Sequence, residues 1–161
     1  MFYEDMPIGA VTALGATAFT RESIIAYARR FDPRLLAAAA AREDGLLVAS
    51  GLHVACALMR RLVETRVALR EAMAARRQSL PELGVSPGFR EMRWPNSVRE
   101  GDVVSFSMKT ISKRETSKPK WGLVANSFRG LNQRDEEVLI FSSVVLAARK
   151  PQENRFHRPF D

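Results

Sequence analysis

GLLVASGLHVACALMRRLVE, residues 45–64, is the stretch around which the rest of the chain is organised. Between positions 46 and 59, apolar or small residues fall on every side of a helical projection, and only Ser50, Gly51 and His53 interrupt them. No face is set aside for water, and a helix that is hydrophobic all round is a buried one. The pattern therefore predicts a core helix. It is too short to span a bilayer, which takes about 20 apolar residues. Beyond Met59 the charged residues Arg60, Arg61, Glu64, Arg66, Arg70, Glu71, Arg76 and Arg77 fall among Leu62, Val63, Val67 and Met73, which predicts an amphipathic extension touching solvent.

With 161 residues, 46% of them hydrophobic, the chain fits one domain with a sizeable core. Its one cysteine, Cys56, has no intramolecular partner and reads as a small core residue rather than a nucleophile. The first ten residues, MFYEDMPIGA, lack a basic region followed by an apolar run, so no secretory signal is expected and the cytoplasm is the default location. A net charge of +7 calls for an acidic partner: nucleic acid, a membrane surface or a phosphorylated small molecule. The charge is spread, however, over the helix extension, the 113–120 loop and the tail. No dense Lys/Arg run with interleaved aromatics and no nucleic-acid motif is present, so neither nucleic acid nor membrane is the expected partner.

In chain order, residues 8–19 read as a first strand in which Gly9 and Gly15 mark points of close backbone approach. Thr20 is an N-cap for a helix whose apolar face holds Ile24, Ile25, Tyr27 and Ala28. That helix ends at Phe31-Asp32-Pro33, because Pro33 moves Asp32 out of the helical region. The run Ala37 to Ala41 favours helix and offers no chemistry. After breakers at Pro81, Gly84, Pro87 and Gly88 the period switches to two, which predicts strands at 93–98, 104–109, 123–128 and 138–146. The turns between them are 100–102, 112–120 and 132–137, short enough for an antiparallel meander. Residues 1–150 form the expected domain and 151–161 a polar tail.

A twisted antiparallel sheet of about five strands wrapped around one long helix is an α+β hot-dog arrangement. Several stretches resemble the MaoC-like acyl dehydratases and (R)-specific enoyl-CoA hydratases. They are Phe31-Asp32-Pro33 after a short helix, GLLVASGLH at 45–53, Ser86-Pro87-Gly88-Phe89 leading into Met92-Arg93-Trp94-Pro95, and Val98-Arg99-Glu100-Gly101-Asp102. The resemblance runs over nearly the whole chain. It implies a homodimer acting on an acyl-CoA or other acyl thioester, with water added or removed at the double bond of an enoyl group and no cofactor or metal needed.

The family's chemistry uses an Asp and a His five residues apart. One group takes a proton from water, another protonates the α-carbon, and the enolate-like oxygen needs stabilising donors. Asp32 matches the family's Asp, but Ala37 stands where the His belongs and Ala39 matches the next acid. No His lies between Asp32 and His53, so the usual pair is broken. Three explanations stay open: His53 substitutes in catalysis with Asp32, Asp32 alone supports slower chemistry, or the chain binds a thioester without turning it over. Ser50 and Gly51 are the expected substrate-binding positions, where N–H groups at the start of the helix would meet a thioester carbonyl. Gly51 equally suits close packing of the helix. Lys113, Arg114, Lys118 and Lys120 would either meet coenzyme A phosphates or be a solvated hairpin whose charges protect a strand edge.

Overall fold

A computed structural model describes residues 2–78 and 80–151; the rest of the expected tail lies outside the described residues. After a 3-10 turn at Tyr3–Asp5 come β1 (Val11–Ala18), α1 (Arg21–Phe31), α2 (Arg34–Ala40), α3 (Gly51–Ala75), β2 (Gly88–Arg93), β3 (Val103–Glu115), β4 (Trp121–Leu131) and β5 (Glu137–Ala148). The five strands form one antiparallel sheet in the order β1-β3-β4-β5-β2. The long helix and the antiparallel sheet are as expected. The meander, however, is confined to β3, β4 and β5, and β2 closes the far edge beside β5. No helix among the described residues is long and apolar enough to cross a membrane.

Local chemistry explains the first half. Thr20 caps α1, its hydroxyl accepting a hydrogen bond from the Ser23 N–H at 3.2 Å. Asp32 ends that helix with φ −152° and ψ 75°, as its position before proline demands. Gly15 has φ +91° and sits where the β1–β3 register slips. Its nearest neighbour across space is Arg61 Cδ at 3.9 Å, an ordinary contact, so the glycine is required by the bulge conformation and not by close approach.

The central helix begins five residues later than the apolar run. Residues 47–49 are drawn into an extended pairing with 98–100: Ala49 N–H donates to the Val98 carbonyl at 2.8 Å, and Glu100 N–H to that of Leu47 at 2.9 Å. Leu47, Ala49 and Val98 thereby enter the core without being helical. The expectation of all-round burial is also corrected. Val54 and Leu58 are buried against Phe19, Val104, Phe128 and Phe141, but Leu52, Met59 and Val63 are 59%, 48% and 57% exposed, and Cys56 is exposed as well. One sheet covers one side of a helix, and the opposite side of α3 has no partner among the described residues.

Two strand boundaries also move. The strand expected at 93–98 lies instead at Gly88–Arg93, because Pro95 has no N–H for a ladder and Trp94 turns away toward α3. β3 runs on to Glu115, so Lys113 and Arg114 are strand residues opposite Val124 and Leu123, and the turn is only 116–120.

The 100–102 turn carries more than its length suggested. Asp102 is buried, and its carboxylate accepts from Arg99 N–H (2.8 Å), Gln133 Nε2 (2.7 Å) and Arg134 Nη1 (3.1 Å), joining the entry of β3 to the β4–β5 turn. Burial pushes this carboxyl upward, but the three donors outweigh it and leave it below its ordinary value. A depressed carboxyl stabilises the fold above the unfolded-state carboxylate range and loses that contribution as pH falls through the folded value. Asp102→Ala is therefore expected to lose about 2–4 kcal/mol in urea denaturation at pH 7. The gap to wild type should narrow as pH drops below about 4. A gap constant down to acid pH would contradict this role.

Candidate functional site

Asp32 stands at the junction of α1 and α2, its backbone N–H bonded to the Ala28 carbonyl at 2.9 Å. Its carboxylate is not open. Arg34 Nε meets Oδ1 at 2.9 Å and Arg34 Nη2 meets Oδ2 at 3.3 Å, a two-point clasp spanning Pro33. The guanidinium hydrogen bonds and charge hold this carboxyl below the usual range. Ala37 is exposed on α2 and Ala39 is buried against the core, so neither position brings an acid or base to Asp32.

His53 lies in the first turn of α3 with its ring packed between two aromatics. Tyr27 stacks on it at 4.5 Å and 6°, and Phe19 meets it edge-on at 5.1 Å. Its Nδ1 is buried with no hydrogen-bond partner among the described residues. Burial pushes the imidazole below its ordinary value, which favours the neutral form at pH 7. Among the described residues no hydrogen bond joins His53 to Asp32. The link between them is Tyr27, which packs on Phe31 at 4.8 Å and whose hydroxyl is pushed upward by burial and then by Cys56 and Asp32. Asp32 and His53 are thus unpaired, with Tyr27 stacked on the one and within reach of the charge of the other.

Ser50 is the N-cap position of α3, yet its hydroxyl caps no helix N–H, leaving the first donors of the helix without a side-chain partner. Gly51 is covered by Trp94: the indole Nε1 donates to the Gly51 carbonyl at 2.8 Å, and a Cβ at Gly51 would lie 2.7 Å from the ring. The glycine therefore serves close packing. Beside it a cavity of about 130 Å³ is lined by Ala49, Gly51, Val54, Trp94, Asn96 and Val138. A larger one of about 310 Å³ lies between α1 and α2 among Arg21, Ile25, Leu36, Ala39, Ala40 and Leu47. Among the described residues no three His, Cys, Asp or Glu side chains gather to hold a metal.

Arg34, Tyr27 and Trp94 are the site residues that sequence reasoning missed. An Arg two residues after an Asp and one after a Pro is a local signal for a clasped carboxylate, and it was available. Tyr27 and Trp94 act through contacts between distant segments, for which the sequence holds no local sign. Two of the four basic residues near this turn are engaged: Lys113 lies over the Tyr3 ring and Lys120 pairs with Glu82 at 3.1 Å.

Gly51→Ala is expected to displace the Trp94 indole and lower stability by about 1–3 kcal/mol. In a Trp121→Phe background, the displacement should red-shift the fluorescence of Trp94. An unshifted spectrum with unchanged stability would mean that the indole does not rest on Gly51.

No protein-family model matches the chain, and a search of curated proteins finds no match. Solved structures do match. A MaoC-like dehydratase from Rhodospirillum rubrum is 28% identical over 94% of this chain and 99% of its own, with a TM-score of 0.73. A monoamine oxidase regulatory protein from Archaeoglobus is 20% identical, with 94% and 96% covered and a TM-score of 0.77. An (R)-hydratase from Pseudomonas aeruginosa is 17% identical, with 92% and 86% covered and a TM-score of 0.61. The last two likenesses show the shared fold. The first adds 28% sequence identity over nearly the full length of both chains, and together with the motifs around Asp32, Gly51 and Trp94 this likeness supports assignment to the MaoC-like hot-dog family.

Proposed function

We propose that this protein binds an acyl thioester, of coenzyme A or a similar carrier, at the junction of α1 with the N-terminus of α3, and supports slow addition or removal of water at an enoyl double bond. The observation that carries the reading is that Tyr27, whose hydroxyl feels the Asp32 charge, stacks on His53 in the first turn of α3, a helix whose N-cap Ser50 leaves its first N–H groups without a side-chain cap. Those donors suit an oxygen that gains negative charge during water addition. Asp32 is the one group of the family's acid–base pair that the chain retains.

A second reading, a thioester-binding subunit without turnover, is favoured by the clasp of Arg34 on Asp32 and by the outward position of Ala37. The two readings share the ligand and differ in rate. Crotonyl-CoA is the probe that separates them.

The partner we propose is a second copy of this chain. Support comes from α3 more than from the strand edges. Leu52, Cys56, Met59, Val63 and Val67 recur at spacings of four and three along its uncovered side. Antiparallel two-fold packing about the 59–60 midpoint would set Leu52 of one copy opposite Val67 of the other and Cys56 opposite Val63. A self-complementary patch of this kind is what a two-fold interface requires. The β2 edge, by contrast, is bulged at Glu91 (φ +53°) and carries Arg90 and Arg93, features that discourage strand pairing.

Two outcomes are expected. Light scattering at micromolar concentration should show a dimer that Val63→Glu converts to a folded monomer, whereas a monomeric wild type would remove the interface. Crotonyl-CoA should bind but be hydrated about 100- to 10,000-fold more slowly than the roughly 10 per second common among enzymes. Asp32→Asn should abolish what remains while preserving the melting temperature. Hydration at the common rate, lost in His53→Ala, would instead make His53 the missing partner.

A further inference from the structure

Arg34 has no assigned role, and we infer that it restrains Asp32, holding the carboxylate occupied and so setting how much proton transfer the site performs. The inference rests on the reading of Asp32 given above. Both carboxylate oxygens are engaged by the one guanidinium, at 2.9 and 3.3 Å, and among the described residues none beyond Arg34 hydrogen-bonds that side chain. Only Pro33 separates the pair, and its ring fixes φ near −63°, so the backbone delivers the guanidinium to the carboxylate.

The clasp differs from a turn clip of the same sequence spacing elsewhere in the chain. Arg42 grips Asp44 in the same two-point way, at 3.0 and 2.9 Å, but Asp44 also accepts the Leu46 N–H at 3.1 Å and thereby organises the backbone of its own loop. At Asp32 the backbone contribution comes from Arg34 itself, so side-chain and backbone contacts to the carboxylate both belong to the one clasping residue. The Arg34 side chain is 90% exposed, and among the described residues it has no other partner. An exposed ion pair of this kind contributes little to the fold. What it changes is the availability of the base. A carboxylate with both oxygens bonded, and held below the usual range, is a poorer proton acceptor than a free one. The groups facing it are Arg34 on its own segment and the Tyr27 hydroxyl from α1, with Cys56 of α3 beyond Tyr27.

The test is Arg34→Gln in the full chain, read in three ways. A 13C titration of the Asp32 carboxyl should show its pKa rising toward the ordinary carboxylate value. Hydration of crotonyl-CoA should increase about tenfold or more, and the added rate should vanish in the Asp32→Asn/Arg34→Gln double variant. Calorimetry should show crotonyl-CoA binding to wild type and to Arg34→Gln. An unmoved Asp32 titration overturns the inference, and so does a moved titration with bound ligand and no gain in rate. If crotonyl-CoA binds neither protein, the reading of the site as a thioester site fails separately, and the carboxyl titration alone decides whether Arg34 restrains Asp32.

Discussion

One sheet can cover only one side of one helix, and most of this structure follows from that limit. Val54 and Leu58 are fully buried in one core with the stacked pair Phe128 and Phe141, 4.7 Å apart and nearly parallel. Burying side chains of this size stabilises by about 1.5–3 kcal/mol each. It also fixes where the helix must start, because the preceding residues 47–49 are committed to the 98–100 segment. The first turn of α3 is thereby presented to α1, with His53 against Tyr27. The site is a by-product of the packing that anchors the helix.

The same limit leaves an apolar surface on the far side of α3. In the sequence, Leu52, Met59 and Val63 are indistinguishable from Val54 and Leu58, since periodicity reports hydrophobicity and not which neighbour supplies the burial. An all-round apolar helix was therefore legible, while the division of its surface between the chain's own sheet and an outside partner was not. Thr20 as a cap, Asp32 as a helix end and the period-two strands were legible for the opposite reason, because each depends on its immediate neighbours. The strand misplaced to 93–98 shows the boundary between the two kinds of feature. Trp94 and Pro95 look strand-compatible one residue at a time, and only the distant Gly51 carbonyl explains why the chain turns there.

Electrostatics at the α1–α3 junction point in two directions. His53 is desolvated toward its neutral form and lacks a partner at Nδ1, while Asp32 is held ionised by Arg34. An acid–base pair works by sharing a proton across a short hydrogen bond, and here each member is engaged elsewhere. Binding makes lighter demands: a concave apolar surface and a few oriented donors suffice. The N-terminus of α3 and the cavity under Trp94 meet those demands without any proton transfer. Under the proposed reading, ligand recognition would rest on the packing, while turnover would rest on Asp32 and His53.

The most direct measurement is a crystal structure of the protein with a saturated acyl-CoA such as butyryl-CoA. The account predicts the thioester carbonyl within about 3 Å of an N–H in the first turn of α3, with the Asp32–Arg34 pair flanking the acyl carbons. A thioester seated only in the larger cavity between α1 and α2, away from both the helix N-terminus and Asp32, would contradict it.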